Sequence, residues 1–187
     1  MQSAAKTGSR IVKIIGAVRA YNRQGKNDPY KNIKFSEIMD DVFVLGRKRF
    51  ESKGIELRLN YEGATELDCN PTHMLQVILN LLNNAHDATE NLEEKWVELK
   101  LEEKGPTLVI SVIDSGKGIP ADIQQKIFKP LFTTKEVGKG TGLGLSICTS
   151  LVEDHGGRLY LDSAASNTCF VVEIPKRNPE KLSSIAE

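Results

Sequence analysis

GKGTGLGLSICTSLVEDH (residues 138–155) places four glycines at alternate positions directly before an apolar segment with helical periodicity. Glycines at this density leave a backbone free to wrap around phosphate groups, and the N-terminus of the following helix adds partial positive charge. A flexible linker is the alternative, but linkers rarely continue straight into an apolar helix. The phosphate loop G-x-x-x-x-G-K-[ST] occurs nowhere in the chain. We therefore predict a different kind of phosphate-binding loop over 138–145 and a helix over 143–155.

A second glycine-containing loop, DSGKGI (114–119), follows the apolar strand predicted over 107–114. A carboxylate at the end of a strand can accept a hydrogen bond from an exocyclic amine such as that of adenine. The two glycines would let the backbone pass close to a flat ring. A plain turn explains so short a motif equally well, so the loop predicts a base-binding site only in combination with other motifs.

A polar stripe marks the helix that Pro71 opens and that we predict to extend to about Asn91. Asn80 and Asn84 lie one turn apart and project side-chain amides in the same direction. An amide oxygen can ligate Mg²⁺, and an amide can also orient a nucleophile; a solvated helix face is the alternative. FKPLFTTK (128–135) lies between the two glycine loops, and we interpret it as a hinged lid.

Other elements follow from periodicity and turn signals. A helix is predicted over 36–52 with Ser36 as its N-cap, and a short helix over 121–128. The expected strands are 55–61, 96–103, 107–114, 157–163 and 168–175. The basic cluster Arg47-Lys48-Arg49 is interpreted as a solvated helix face.

The four motif segments together resemble the catalytic domain of histidine protein kinases. NLLNNA (80–85) is similar to the N box of that family, DSGKGI to its first glycine box, IFKPLFTTK (127–135) to its F box, and 138–145 to its second glycine box. Order and separation match, and the resemblance covers about residues 55–175. It implies an α/β fold of the Bergerat type, a two-layer sandwich in which helices cover one face of a mixed sheet, with an ATP site.

The resemblance also implies residue roles. Asn84 would hold Mg²⁺ between the phosphates, Asn80 would position the phosphoryl acceptor, and Asp114 would bind the adenine amine. Asp87 departs from the pattern, because many members carry a basic residue there; that contact is missing or is supplied elsewhere. The complete ATP-binding set implied by the resemblance is Asn80, Asn84, Asp87, Asp114, Gly116, Gly118, Ile119, Phe132, Thr133, Lys135, Gly138, Gly140, Thr141, Gly142, Leu143, Gly144 and Leu145.

The N-terminal region predicts an amphipathic helix over 10–24, which is similar to the second helix of the family's dimerisation domain. We therefore divide the chain into a partial dimerisation and phosphoacceptor helix (1–28), an ATP-binding catalytic domain (29–176) and a flexible tail (177–187). The resemblance implies a homodimeric full-length kinase whose partners are a phosphoacceptor helix and a response regulator.

The family's acceptor segment, H-[ED]-x-x-x-P, does not occur among these 187 residues. His73 and His86 lie on or beside the N-box helix, and His155 is expected to be a C-terminal helix cap favoured by the helix dipole. The prediction is a kinase domain that transfers the γ-phosphoryl of ATP to a histidine outside this chain.

Composition narrows the function classes. Lys+Arg and Asp+Glu number 25 each, so nothing indicates a nucleic-acid footprint. Three cysteines without CxxC spacing and the lack of a long apolar run favour a cytoplasmic location; a membrane anchor in another segment of a longer parent protein stays compatible with this expectation. Three alternatives remain open: an anti-sigma-factor type serine kinase, a gyrase- or MutL-like ATPase (whose E-x-x-x-N glutamate Asn80 replaces), and a nucleotide-sensing module without turnover.

Overall fold

The computed structural model describes residues 30–61, 65–136 and 140–177. The helix predicted over 10–24, the tail from residue 178 onward, and Gly138 of the second glycine loop lie outside the described residues.

The described chain contains four helices and seven strands. In chain order they are β1 (Lys31–Lys34), α1 (Phe35–Glu51), β2 (Glu56–Asn60), β3 (Glu66–Cys69), α2 (Pro71–Thr89), β4 (Trp96–Lys104), β5 (Thr107–Asp114), α3 (Ala121–Gln124), α4 (Gly144–Glu153), β6 (Arg158–Leu161) and β7 (Thr168–Pro175). Five strands form one sheet in the order β2-β4-β5-β7-β6, and β1 pairs with β3 in a separate ribbon. The β2–β4 pair is parallel and the other pairs are antiparallel, so the sheet is mixed.

The helices α1, α2 and α4 pack on one face of this sheet, because each strand presents alternate apolar residues to them. In β5, for example, Leu108, Ile110 and Val112 are buried in the main core. The core-facing side of α2 includes Ile78 and Leu82, which are almost fully buried. The predicted two-layer α/β sandwich is confirmed. Within the described residues, no helix combines the length and the apolar character that crossing a bilayer requires.

The start of α1 corrects one prediction. The helix begins at Phe35, and its N-cap residue is Lys34, which makes no side-chain cap. The Phe35 N–H instead donates to the Thr65 carbonyl at 2.8 Å. The Thr65 carbonyl, next to β3, thus satisfies the first N–H of the helix. Strands β1 and β3 escaped sequence analysis because KNIK and ELDC lack an extended alternating pattern.

The ends of the other helices differ by smaller amounts. α2 begins at Pro71 as predicted, where the Asn70 side chain accepts the His73 N–H at 3.1 Å, and it ends two residues early at Thr89. The helix predicted over 121–128 is a single turn, α3, followed by hydrogen-bonded turns up to Lys129.

His155 lies just beyond α4 and caps it as a neutral ring. Its Nδ1 donates to the Leu151 carbonyl at 2.7 Å, while Nε2 accepts the Asn70 N–H at 3.1 Å. Burial lowers the pKa of His155, and this effect outweighs the hydrogen bond to Leu151. The expected C-terminal cap is present, but the positive charge expected to interact with the helix dipole is not.

Candidate nucleotide site

The polar stripe of α2 supplies the fixed part of the candidate site. Asn80 and Asn84 are half-buried on the side of the helix away from Ile78 and Leu82. The buried side fixes the rotation of the helix, so both amides are held by the core rather than by a loop.

The beginning of α4 lies next to Asn80. A Cβ placed on Gly144 would be 3.9 Å from Asn80 Oδ1, so the helix that follows the second glycine loop starts at the N-box helix. One turn further on, burial raises the pKa of Cys148 to about 12, and a hydrogen bond with the Asn80 side chain opposes that rise. The N-terminus of α4, where unpaired N–H groups favour anions, is therefore adjacent to the Asn80 amide that sequence analysis selected.

The second glycine loop is packed against the F-box segment. Gly142 has a φ of 69°, and a Cβ on it would lie 2.5 Å from the Leu131 carbonyl carbon and 2.7 Å from the Phe132 oxygen. A Cβ on Gly140 would lie 2.6 Å from Thr133 Oγ1. Side chains at either position would separate the two segments, so these glycines permit the close approach.

Leu131 itself has a φ of 67°, which is unusual for a residue with a side chain. It lies at the point where the F-box turn meets Gly142, and half of its surface is exposed. The local strain therefore coincides with the contact between the two motif segments, as strained backbone often does at functional loops.

Lys135 connects the F-box segment to α2. Its Nζ donates to Asp87 Oδ2 at 2.6 Å and to Asn84 Oδ1 at 3.4 Å. Arg49 of α1 donates to the other Asp87 oxygen at 2.9 Å and to Asn83 Oδ1 at 2.6 Å. Two basic side chains from other segments thus surround Asp87.

The pKa of Asp87 reflects these partners. Partial burial raises it, but hydrogen bonds from Lys135 and His86 and the charges of Lys135 and Arg49 outweigh burial and hold the pKa of Asp87 below its ordinary value. Asp87 is therefore an ionised centre that joins α1 and the F-box segment to α2.

Asp114 ends β5 at a buried position, 3% exposed. Its Oδ1 accepts the Gly116 N–H at 2.8 Å, and a Cβ on Gly116 would approach that same oxygen to 2.7 Å. Burial raises the pKa of Asp114, against the opposing hydrogen bonds from Gly116 and Thr168. Gly118 has a φ of 85°, which favours glycine at the turn of the loop. The first glycine box therefore builds a buried carboxylate with capacity for a further donor.

The remaining predicted residues occupy several environments. Ile119 and Leu145 pack against the core, and Phe132 and Leu143 are half-buried. Thr133 Oγ1 accepts the Lys135 N–H, and Thr141 Oγ1 accepts the Leu143 N–H at 3.4 Å. Ile119 and Leu145 thus anchor their loops, whereas the two threonines shape the turns.

Sequence analysis missed Arg49, because the cluster Arg47-Lys48-Arg49 was interpreted as a solvated face. Arg47 fits that interpretation, since it pairs within α1 with exposed Glu51. Arg49 follows buried Val42 by seven residues and Gly46 by three, which places it at the edge of the buried face. That spacing was the available signal for a contact with α2.

The chemistry of the donor set fits a divalent cation. The Asn84 amide oxygen is a suitable ligand for Mg²⁺, and the ammonium group of Lys135 already lies 3.4 Å from it as a cation. The Asp87 carboxylate adds a negative charge beside that position.

Two of the three histidines, His86 and His155, are buried and therefore poorly placed to receive a phosphoryl group. His86 is 3% exposed, its Nε2 is buried without a hydrogen-bond partner, and its ring meets the Phe50 ring edge-on at 5.3 Å. Both nitrogens of His155 are hydrogen-bonded, and its ring lies 5.8 Å from that of His73. A buried ring cannot approach a phosphate without local unfolding.

Comparisons with known proteins agree with this geometry. Residues 69–178 match the family described as histidine kinase-, DNA gyrase B-, and HSP90-like ATPases. The chain is 33% identical over 178 residues to the C4-dicarboxylate transport sensor protein DctB of Rhizobium meliloti, covering 94% of this chain and 28% of that protein. It is 41% identical over 126 residues to the sensor histidine kinase ZraS of Escherichia coli, covering 66% of this chain and 26% of that protein.

Solved structures give the same result. The catalytic domain of histidine kinase ThkA superposes with a TM-score of 0.71 at 33% identity, covering 79% of this chain and 95% of that one. ThkA in complex with response regulator protein TrrA gives 0.73 at 29% identity, covering 95% and 50%. The chain belongs to the histidine kinase-, DNA gyrase B- and HSP90-like ATPase family. Its relatives confirm the prediction of a histidine-kinase ATP-binding domain, and it spans about a quarter of the length of the curated relatives.

Proposed function

We propose that this domain binds Mg·ATP and transfers the γ-phosphoryl group to a histidine outside these residues, as the catalytic part of a two-component sensor kinase. The observation that carries the proposal is the meeting of three motif segments at α2. The start of α4 lies beside Asn80, Lys135 reaches Asn84, and the F-box turn packs against Gly142.

In this proposal Asn84 Oδ1 would hold Mg²⁺, and Asp114 would accept a hydrogen bond from the adenine amine. The metal would neutralise phosphate charge. The N-terminus of α4 and Lys135 would add positive potential, which is the main requirement of phosphoryl transfer. Asn80 would orient the acceptor. The chain itself supplies positioning and charge rather than the nucleophile.

The environments of the histidines support an acceptor outside these residues. His86 and His155 are each 3% exposed, so neither ring could reach a phosphate without local unfolding. The family's acceptor motif does not occur in this sequence. The relative that is described in complex with response regulator TrrA is the basis for proposing a response regulator as the downstream partner. A homodimer is the proposed state of the full-length kinase.

The test is phosphotransfer with labelled ATP and Mg²⁺. Alone, the chain should gain no acid-labile phosphate. With the acceptor helices of a relative such as DctB supplied in trans, transfer to those helices should appear and should require Asn80. Stoichiometric acid-labile label on the isolated chain would overturn the external acceptor. Acid-stable label on the acceptor protein would indicate a serine kinase instead.

The metal assignment has its own test. Asn84→Ala removes the proposed ligand, so affinity for Mg·ATP should fall by a larger factor than affinity for metal-free ADP. Calorimetry measures both values on one protein preparation. An equal loss for the two ligands would show that Asn84 acts only through the structure of α2.

A further inference from the structure

The Lys135 ammonium group lies between two oxygens that are one turn apart on α2. Nζ is 2.6 Å from Asp87 Oδ2 and 3.4 Å from Asn84 Oδ1. Because both oxygens face one cation, this part of the helix is a cation-binding position before any nucleotide arrives. One of the two oxygens is the atom that the proposed function assigns to the metal.

The Asp87 carboxylate is fixed from its other side. The guanidinium group of Arg49 donates to Oδ1 at 2.9 Å and also to Asn83 at 2.6 Å, while Lys135 uses Oδ2. Each carboxylate oxygen thus has its own cationic donor. The side chains of Asp87 and Lys135 are 32% and 35% exposed, so the pair is partly shielded from water.

The lysine and a metal ion compete for Asn84. Mg²⁺ binds oxygen ligands at about 2.0–2.1 Å. An ammonium group 3.4 Å from the same oxygen would then lie within a few ångströms of a dication, where like charges repel strongly in a partly shielded site. A metal ion bound to Asn84 would therefore repel Lys135, and nucleotide phosphates would offer the lysine a new anionic partner.

We propose that Asp87 and Lys135 form an ionic latch: Asp87 holds Lys135 at the cation position beside Asn84 until a metal–nucleotide complex transfers the lysine to phosphate. The identity of the displacing ligand rests on the proposed function. The latch makes Asp87 a determinant of nucleotide affinity, because the bond between Lys135 and the carboxylate must break before Lys135 can bind phosphate.

The first test needs no nucleotide. Hydrogen exchange of the peptide covering 129–136 is compared in the wild type, Asp87→Asn and Glu90→Gln. Glu90, just after α2, pairs with Lys53, just after α1, at similar exposure but does not touch Lys135, so it is a matched control. Asp87→Asn should speed exchange roughly two- to fivefold, as expected for a partly exposed pair, and Glu90→Gln should not. Unchanged exchange in Asp87→Asn overturns the latch.

The second test is a double-mutant cycle on affinity for Mg²⁺ with a non-hydrolysable ATP analogue, measured by calorimetry. For each background, the loss of affinity caused by Lys135→Met is expressed as a ratio. If the latch exists, this ratio should be roughly two to five times larger in the Asp87→Asn background than in the wild type. Equal factors would mean that Asp87 acts only through its charge, and a larger factor in the wild type would mean that Asp87 positions Lys135 for phosphate. Both results overturn the latch.

The two experiments separate failure of the latch from failure of the proposed function. If none of the four proteins of the cycle binds the metal–nucleotide complex, the proposed function is wrong. The exchange measurement still decides whether Asp87 holds Lys135.

Discussion

Replacing Asp114 by Asn tests the assignment of the adenine site with a change of only one atom. The carboxylate is 3% exposed, and its Oδ1 accepts the Gly116 N–H at 2.8 Å. In the variant, the amide oxygen is expected to keep the hydrogen bond from the Gly116 N–H, because the amide nitrogen cannot accept one. The amide nitrogen then takes the position from which the second carboxylate oxygen would accept the adenine amine.

The magnitude follows from this geometry. Two donors would face each other in a buried place, and a buried polar group left without its partner costs about 1–3 kcal/mol. Since 1.4 kcal/mol corresponds to a factor of ten, affinity for ATP should fall by roughly five- to 150-fold. The guanine O6 is an acceptor, so affinity for GTP should fall less or should rise. The ratio of the two affinities is therefore the informative quantity.

The assay is calorimetric titration with Mg·ATP and Mg·GTP on the wild type, Asp114→Asn and the control Asp40→Asn. Asp40 is an exposed carboxylate on α1, so the control removes the same charge away from the candidate site. An unchanged adenine-to-guanine ratio in Asp114→Asn, in a protein whose thermal unfolding resembles that of the wild type, would refute the adenine assignment.

Three further predictions concern the loops and the core. Gly142→Ala should weaken Mg·ATP binding about tenfold or more, because the added Cβ would lie 2.5 Å from the Leu131 backbone. Gly54→Ala is the matched control for backbone strain, since Gly54 has a similar φ of 66° and a Cβ there would meet nothing within 4 Å. Equal binding by the two variants would contradict the expectation. Peptides covering 129–136 should exchange more slowly with Mg·ATP than without, because the ligand adds contacts to this segment; unchanged exchange at saturation would refute the lid interpretation. Because burial lowers the folded-state pKa of His155, the unfolded state binds the proton first, so stability should fall as pH drops below about 6.5 toward that lowered pKa. Urea unfolding across this range should show a shallower pH dependence for His155→Gln, and an identical slope would argue against a neutral buried ring.

The main elements of the fold could be predicted because their patterns are local. The apolar faces of α2 and β5 recur at helical and strand periods, and the bounds of β5, Thr107–Asp114, agree with the prediction. The ribbon of β1 and β3 could not be predicted, since its register joins Lys31 to Cys69 across 38 positions. Long-range pairing of short polar strands leaves no periodic signal.

The candidate site divides in the same way. Asn80, Asn84 and Asp114 could be selected from sequence because the signal was local. The two amides are spaced by one helical turn, and the carboxylate ends a predicted strand. The partners of Asp87 could not be predicted, since Arg49 comes from 38 residues before it and Lys135 from 48 residues after it. Only the packing of α1 and the F-box turn against α2 brings these charges together. In the sequence, Asp87 indicated only that the basic residue common at this position was absent. In the fold, two cationic side chains contact Asp87.

Some residues of the candidate site are held in place by the core, and others only by weak surface contacts. This difference determines which parts of the site should move when a ligand binds. Asn80, Asn84 and Asp114 belong to elements whose opposite faces are buried in the core, so their positions are set by the free energy of the whole fold. Beyond Ile127 and Phe128, which pack against the core, the F-box segment meets the rest of the site through the close contacts at Gly140 and Gly142 and the ion pair of Lys135 with Asp87. That ion pair is worth at most about 1 kcal/mol, because it is partly exposed. A ligand can therefore rearrange this segment at small cost while the amides and the buried carboxylate stay in place. Substitutions on α2 and β5 should then alter which ligand binds, whereas substitutions in the loops should alter how tightly every ligand binds.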